Sequence, residues 1–164
     1  MKSIFFLMMM LLPNMALSQD LATYGNWTYN RTPVENLCLL DGIGEGFSIT
    51  FAFEPTAQNG IGGIGLSFEG PLHDWTGFSI ETSPDDRIYF SIVNRVYTNG
   101  LLTLRGDFDN PKDIATIDMF YKSPMVHVTA YSDDARLDGN LDTTQFSTAI
   151  VKTNECILRL DEAL

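Results

Sequence analysis

Phe47, Ile49, Phe51 and Phe53 alternate with Ser48, Thr50, Ala52 and Glu54. A period of two with one apolar side is the pattern of a half-buried strand. Ile64, Leu66 and Phe68 repeat it, as do Phe78 with Ile80, and Ile88 with Phe90 and Ile92. Pro55, Pro71 and Pro84 fall in the gaps, where a missing N–H does least harm. Asn99-Gly100 sits between Val96-Tyr97 and Leu102-Thr103-Leu104 and suits a tight type I′ hairpin turn. A short strand is predicted over Met125 to Tyr131, with His127 as a half-buried residue on it.

Two segments leave this pattern. In NPKDIATIDMFYK, Asn110 is placed as an N-cap, Pro111 as the first helical residue, and Asp113 near the positive helix end. Ile114, Ile117 and then Phe120 or Tyr121 would share one helical face, and Pro124 prevents much continuation. In DTTQFSTAIVKTNEC, Asp142 is a candidate N-cap with Gln145 three residues later, close to a capping box. Phe146, Ala149, Ile150 and Thr153 make a stripe that ends at Cys156. A strand is the alternative for either segment, and the stripe argues against it more strongly in the second. The expectation is an α+β fold: an antiparallel sheet or β-sandwich of about seven to nine strands with two helices. The C-terminal helix packs on the sheet through Phe146 and Ile150, and Cys156 reaches Cys38.

The first residues change the setting. Lys2 precedes the apolar run Ile4–Leu12, and Ala16 and Ser18 are small residues in the −3 and −1 positions before Gln19. Residues 1–18 read as a secretory signal peptide and 19–164 as a single exported domain, periplasmic or secreted. The run is short for a bilayer span, and Pro13 and Asn14 interrupt it, so an uncleaved anchor is the weaker alternative. No later stretch is apolar enough to cross a membrane, and no span is expected after cleavage. Cys38 and Cys156 are the two cysteines, and an oxidising compartment favours a bridge between them over free thiols or intermolecular pairing. The net charge of −11, one more negative without Lys2, repels nucleic acid and anionic lipid and favours cationic partners. Nucleic acid is therefore not expected as a partner.

Candidate chemistry is sparse. NGIGGIG at 59–65 places Gly60, Gly62 and Gly65 in a G-x-G-x-x-G pattern. A dinucleotide turn needs a helix leaving it, whereas here LSFEGP follows, alternating and stopped by Pro71. No nucleotide or other cofactor is expected. The glycines read instead as a flexible turn feeding a strand, with Gly62, Gly63 and Gly65 marking a bulge or close backbone approach. A loop beside a groove is the second reading, and with His73, Asp74 and Trp75 these glycines form a candidate binding loop. The chain has two histidines, His73 and His127, and neither sits in a recognisable catalytic motif. A Ser–His–acid triad stays open because triads assemble in space, but no G-x-S-x-G elbow is present. Zinc spacings are missing. Asp107, Asp109, Asn110 and Asp113 form an acidic knot that calcium favours, although Pro111 takes a ligand position and helix capping explains two of the four. Asn26-Trp27-Thr28 and Asn30-Arg31-Thr32 match the glycosylation pattern and are taken as chance, since the signal peptide has a bacterial style.

A Trp soon after the signal peptide, then Cys38, many strands, and a closing amphipathic FSTAIVKTNEC segment form a familiar sequence of features. In these residues the chain resembles small exported proteobacterial proteins, mostly uncharacterised, akin to the invasion-associated locus B group. That group usually carries more cysteines. The resemblance implies a periplasmic address and an envelope or host-facing role, and it implies no catalytic residue. The expected function is a non-catalytic exported module that binds a protein, an envelope component or a small ligand. The alternatives are a small periplasmic hydrolase using Ser with His73 or His127, and a calcium-stabilised structural module.

Overall fold

Each alternating stretch forms a strand, and the apolar side of each becomes part of one continuous core. A computed structural model describes residues 21–32, 37–54, 61–70, 74–107 and 110–161. The strands are β1 (Leu21–Tyr24), β2 (Trp27–Thr32), β3 (Leu37–Ile43), β4 (Phe47–Phe53), β5 (Ile61–Glu69), β6 (Gly77–Ser83), β7 (Asp86–Thr98) and β8 (Leu101–Gly106). After α1 (Asn110–Lys122) come β9 (Met125–Tyr131), β10 (Arg136–Asp142) and finally α2 (Phe146–Asp161). The fold is α+β, as expected, but among the described residues the sheet has ten strands, in the order β1-β2-β3-β4-β5-β8-β7-β6-β9-β10. All pairings are antiparallel.

β7 holds the two halves of the sheet together. Its first part pairs with β6 and its second with β8, and a register shift between Ile92 and Asn94 marks the change of partner. The hairpin from β7 to β8 closes on Asn99 (φ 53°) and Gly100 (φ 85°), the two left-handed residues a type I′ turn requires. The sheet also curls back on itself. Glu45, in the β3–β4 turn, donates its N–H to the Asn140 carbonyl of β10 at 3.1 Å. The Trp27 indole of β2 donates to the Asp142 carbonyl at 3.0 Å.

Both helices lie on the inner face. α2 packs on β1, β2 and β3, and α1 on β6, β7 and β9, with a contact between the helices. Trp27, Phe51, Phe120 and Phe146 form the junction: Trp27–Phe146 ring centroids are 4.9 Å apart and Phe51–Phe120 5.4 Å. Edge-to-face packing of this kind adds to simple area burial. Gly42 makes room for it, since a Cβ there would stand 2.7 Å from the Trp27 ring.

The second helix buries the stripe read from the sequence: Phe146, Ala149, Ile150, Thr153 and Cys156 are all enclosed. It starts later than expected. Asp142 ends β10, and its carboxylate accepts the Thr144 N–H at 2.8 Å in the connecting turn, so it is not the helix cap. The helix also continues past Cys156 to Asp161. The buried face of α1 is rotated from the expected one. Ile114 and Tyr121 are exposed, while Thr116, Met119 and Phe120 are enclosed. Thr116 satisfies its hydroxyl on the Lys112 carbonyl at 2.7 Å, which lets a polar residue occupy the inner face. Cys38 and Cys156 form a disulfide (S–S 1.97 Å) that ties β3 to α2.

Candidate functional site

The glycine run is neither a turn nor a loop from Ile61 onward; it is the first half of β5. Gly62 is the extra residue of a bulge, because Ala52 pairs with Gly63 while Phe53 pairs with Ile61. Gly63 and Gly65 point to the outer face of the sheet, between Ala52 and Thr50 of β4 on one side and β8 on the other. The strand's large residues, Ile64, Leu66 and Phe68, fill the core opposite.

The consequence is a trench with a backbone floor. Two hollows of about 370 and 420 Å³ share Gly63, Ile64 and Arg105. Leu37 and Leu39 of β3 border the first, and Val93 and Asn94 of β7 the second. Arg105 stands between them, exposed, with no hydrogen bond or ion pair among the described residues. One cross-strand row runs Asp41, Thr50, Gly65, Arg105. The Asp41 carboxyl is pushed up by burial, an effect partly offset by the Thr50 hydroxyl that donates to it at 2.5 Å. In the next row Ser67 and Thr103 share a hydrogen bond of 2.8 Å.

Packing does not explain glycine at 63 and 65. Neither has a positive φ. Among the described residues a Cβ on Gly63 would meet nothing nearer than the Arg105 guanidinium at 3.9 Å. One on Gly65 would meet Thr103 Cγ2 at 3.6 Å and the Leu104 carbonyl at 3.8 Å, both ordinary contacts. Glycine inside a strand is less stable than alanine by roughly 0.5–1 kcal/mol. The fold therefore forgoes stability at both places, and the gain is an open floor.

Of the other members of the candidate binding loop, the described ones, Asp74 and Trp75, do not line the trench. Gly60 and His73 lie outside the described residues, as does the signal-peptide segment. Trp75 is no binding corner: it is buried, packs on Phe68 with centroids 4.9 Å apart, and its carbonyl accepts from Arg95. Asp74 is exposed beside it.

His127 is half-buried on β9 and fully engaged. Its Nδ1 faces Asn140 Oδ1 at 3.1 Å and its Nε2 faces Asp138 Oδ1 at 3.2 Å. Asp138 also accepts two bonds from Arg136 (2.6 and 2.7 Å) and one from Thr129 (2.9 Å). Arg136 above all holds the Asp138 carboxyl down to about 2. Asn140 Nδ2 donates onward to Glu45 Oε2 at 3.2 Å, so the network braces the curled sheet. No serine hydroxyl among the described residues bonds to His127, and both cysteines are in the disulfide. In the acidic knot, Asp107 is taken up by Lys112 Nζ and the Ser91 N–H, both at 2.5 Å. Asp109 lies outside the described residues. Among the described residues no three His, Cys, Asp or Glu side chains gather as a metal site. No protein family, no curated protein and no solved structure matches this chain.

Proposed function

We propose that the chain is an exported, non-catalytic binding module of the bacterial envelope, and that it engages its partner through the trench over Gly63 and Gly65. The observation that carries the reading is the pairing of a floor kept free of side chains with Arg105 beside it, which has no hydrogen bond or ion pair among the described residues. An extended segment of a partner can lie on such a floor against backbone, while a fixed cation orients it. The Cys38–Cys156 disulfide supports an oxidising address, periplasmic or secreted. Among the described residues no helix is long and apolar enough to cross a membrane. The resemblance to the locus B group points the same way. The hydrolase reading draws no support from His127, whose two nitrogens already face acceptors.

A photo-reactive side chain at Val93, on the trench wall, tests this in the producing cells. A defined adduct is expected there, none from the same group at Val151 on α2, and loss of the adduct in Gly65→Val. Equal labelling from both positions would overturn the trench. Turnover in an ester and glycoside screen, abolished by His127→Ala, would overturn the non-catalytic reading.

A further inference from the structure

Arg31 continues the inward series of Trp27 and Tyr29 on β2, and the β2–β3 register sets it opposite Cys38. The disulfide brings α2 to the same place. Between β1, β2 and α2 lies a cavity of about 220 Å³, with Arg31 and Tyr29 on one wall, Tyr24 and Leu21 on another, and Lys152, Glu155 and Arg159 on the helix side. This cavity is on the inner side of the sheet and is independent of the trench.

Its charge runs against the composition of the chain. The sequence has 10 Lys and Arg against 21 Asp and Glu, yet among the described residues Arg31, Lys152 and Arg159 line this cavity with Glu155. That carboxylate is already committed: Lys152 Nζ donates to Glu155 at 2.7 and 3.0 Å. Arg31 is not matched. Its side chain is partly enclosed, its Nε is fully buried, and no hydrogen bond or ion pair engages it among the described residues. A buried polar group without a partner is costly, and one on a guanidinium more so. Arg31 also lines the cavity, and a ligand carboxylate there gives its guanidinium an acceptor.

We propose that this pocket binds a small organic carboxylate with an apolar or aromatic body. The planar fork of Arg31 matches the two oxygens of a carboxylate, and Lys152 and Arg159 add attraction from the helix side. Tyr24, Tyr29 and Leu21 offer apolar surface to the rest of the molecule. The hollow of about 220 Å³ has room for a ligand of the size class of benzoate.

The test titrates the disulfide-intact protein with benzoate, acetate and inorganic phosphate, following amide signals and melting temperature. Benzoate is expected to shift the amides of Tyr29, Arg31 and Cys156 saturably and to raise the melting temperature, with acetate weaker and phosphate weakest. Arg31→Met is expected to weaken benzoate binding tenfold or more and, without ligand, to melt at or above the wild-type temperature. That second readout separates a waiting ligand site from a structural arginine, whose loss would lower the melting temperature. Lys152→Gln, at an exposed helix position, is expected to weaken binding severalfold with the fold intact. The proposal is overturned by wild-type affinity in both variants, by a lower melting temperature in Arg31→Met, by phosphate acting as strongly as benzoate, or by no saturable shift up to ~10 mM benzoate.

Discussion

Replacing Gly63 or Gly65 with alanine adds a methyl group to a strand where there is room for it. The nearest atoms to the new Cβ stand at 3.9 Å for Gly63 and 3.6 Å for Gly65. Two effects favour the variants. Alanine restricts the unfolded chain, which together with the strand preference is worth about 0.5–1 kcal/mol. The methyl also removes some apolar area from water, at most about 0.8 kcal/mol for full burial. A gain of about 1 kcal/mol per site is expected, and about 2–4 °C in melting temperature for a domain of this size. Gly106, on the other face of neighbouring β8, is the internal control. A Cβ there would come within 2.8 Å of Phe78 Cζ and 2.9 Å of Phe90 Cβ. Overpacking should lower the stability of Gly106→Ala by about 1–3 kcal/mol. Urea unfolding with the disulfide intact reads all three as midpoint shifts at constant slope. If Gly63→Ala and Gly65→Ala lose stability as Gly106→Ala does, the glycines serve packing, and the argument for a functional floor falls.

Three further outcomes follow from the same geometry. Removing the disulfide by Cys38→Ser with Cys156→Ser releases a loop with a sequence separation of 118; urea unfolding should show a loss of about 4–5 kcal/mol if loop entropy dominates, and an unchanged midpoint would exclude the bridge as a stabiliser. Phe120→Ala empties the centre of the Trp27–Phe51–Phe146 junction and is expected to lose about 3–5 kcal/mol in the same assay. Asp138 and Asp41, two of the perturbed carboxylates, shift in opposite directions. Asp138, held near about 2 against an ordinary 3.8, contributes stability that is complete above about pH 4 and is lost as pH falls through about 2. It is well exposed, so solvent screening keeps the effect below about 1 kcal/mol, and Asp138→Asn should flatten that limb of an acid titration. Asp41, raised by burial, takes stability away as pH climbs above 3.8, so Asp41→Asn should gain stability at neutral pH and lose that gain in acid.

Much of the sheet was legible because one side of each strand must be apolar. Phe47 to Phe53 and Met125 to Tyr131 are strands with the bounds that alternation suggests. β10 carries no such signal: RLDGNLD has only Leu137 and Leu141 to mark it, and its buried central position is Gly139. The face of α1 was legible only in part: Ile117 and Phe120 turn inward as expected, but Ile114 is a solvent-exposed hydrophobe and Thr116 a buried polar residue, and apolar periodicity does not register either. Of the candidate site, the glycines were visible as unusual, but the spacing suggested a turn; only the register with β4 and β8 shows which side they leave bare. Trp75 looked like a binding aromatic and is core, since its partner Phe68 is on another strand. The Arg31 pocket had no sequence signal. Its cations come from β2 and α2, far apart in the chain, and their meeting depends on the disulfide and the helix packing.

The burial of Trp27 has a consequence for the order of assembly. Phe51 of β4 is near at hand, but the other partners of Trp27 arrive late: Phe120 from α1, the Asp142 carbonyl, and Phe146 from the last helix. Until α2 has been synthesised, β1, β2 and β3 lack the helix that packs on their inner face. Cys38, too, waits for a partner 118 positions away. Contacts of such sequence separation form slowly, and exposed sheet surface in the meantime favours aggregation. A growing chain therefore has no stable early domain to settle into. The inner face of the N-terminal strands is closed only when the C-terminal helix is in place.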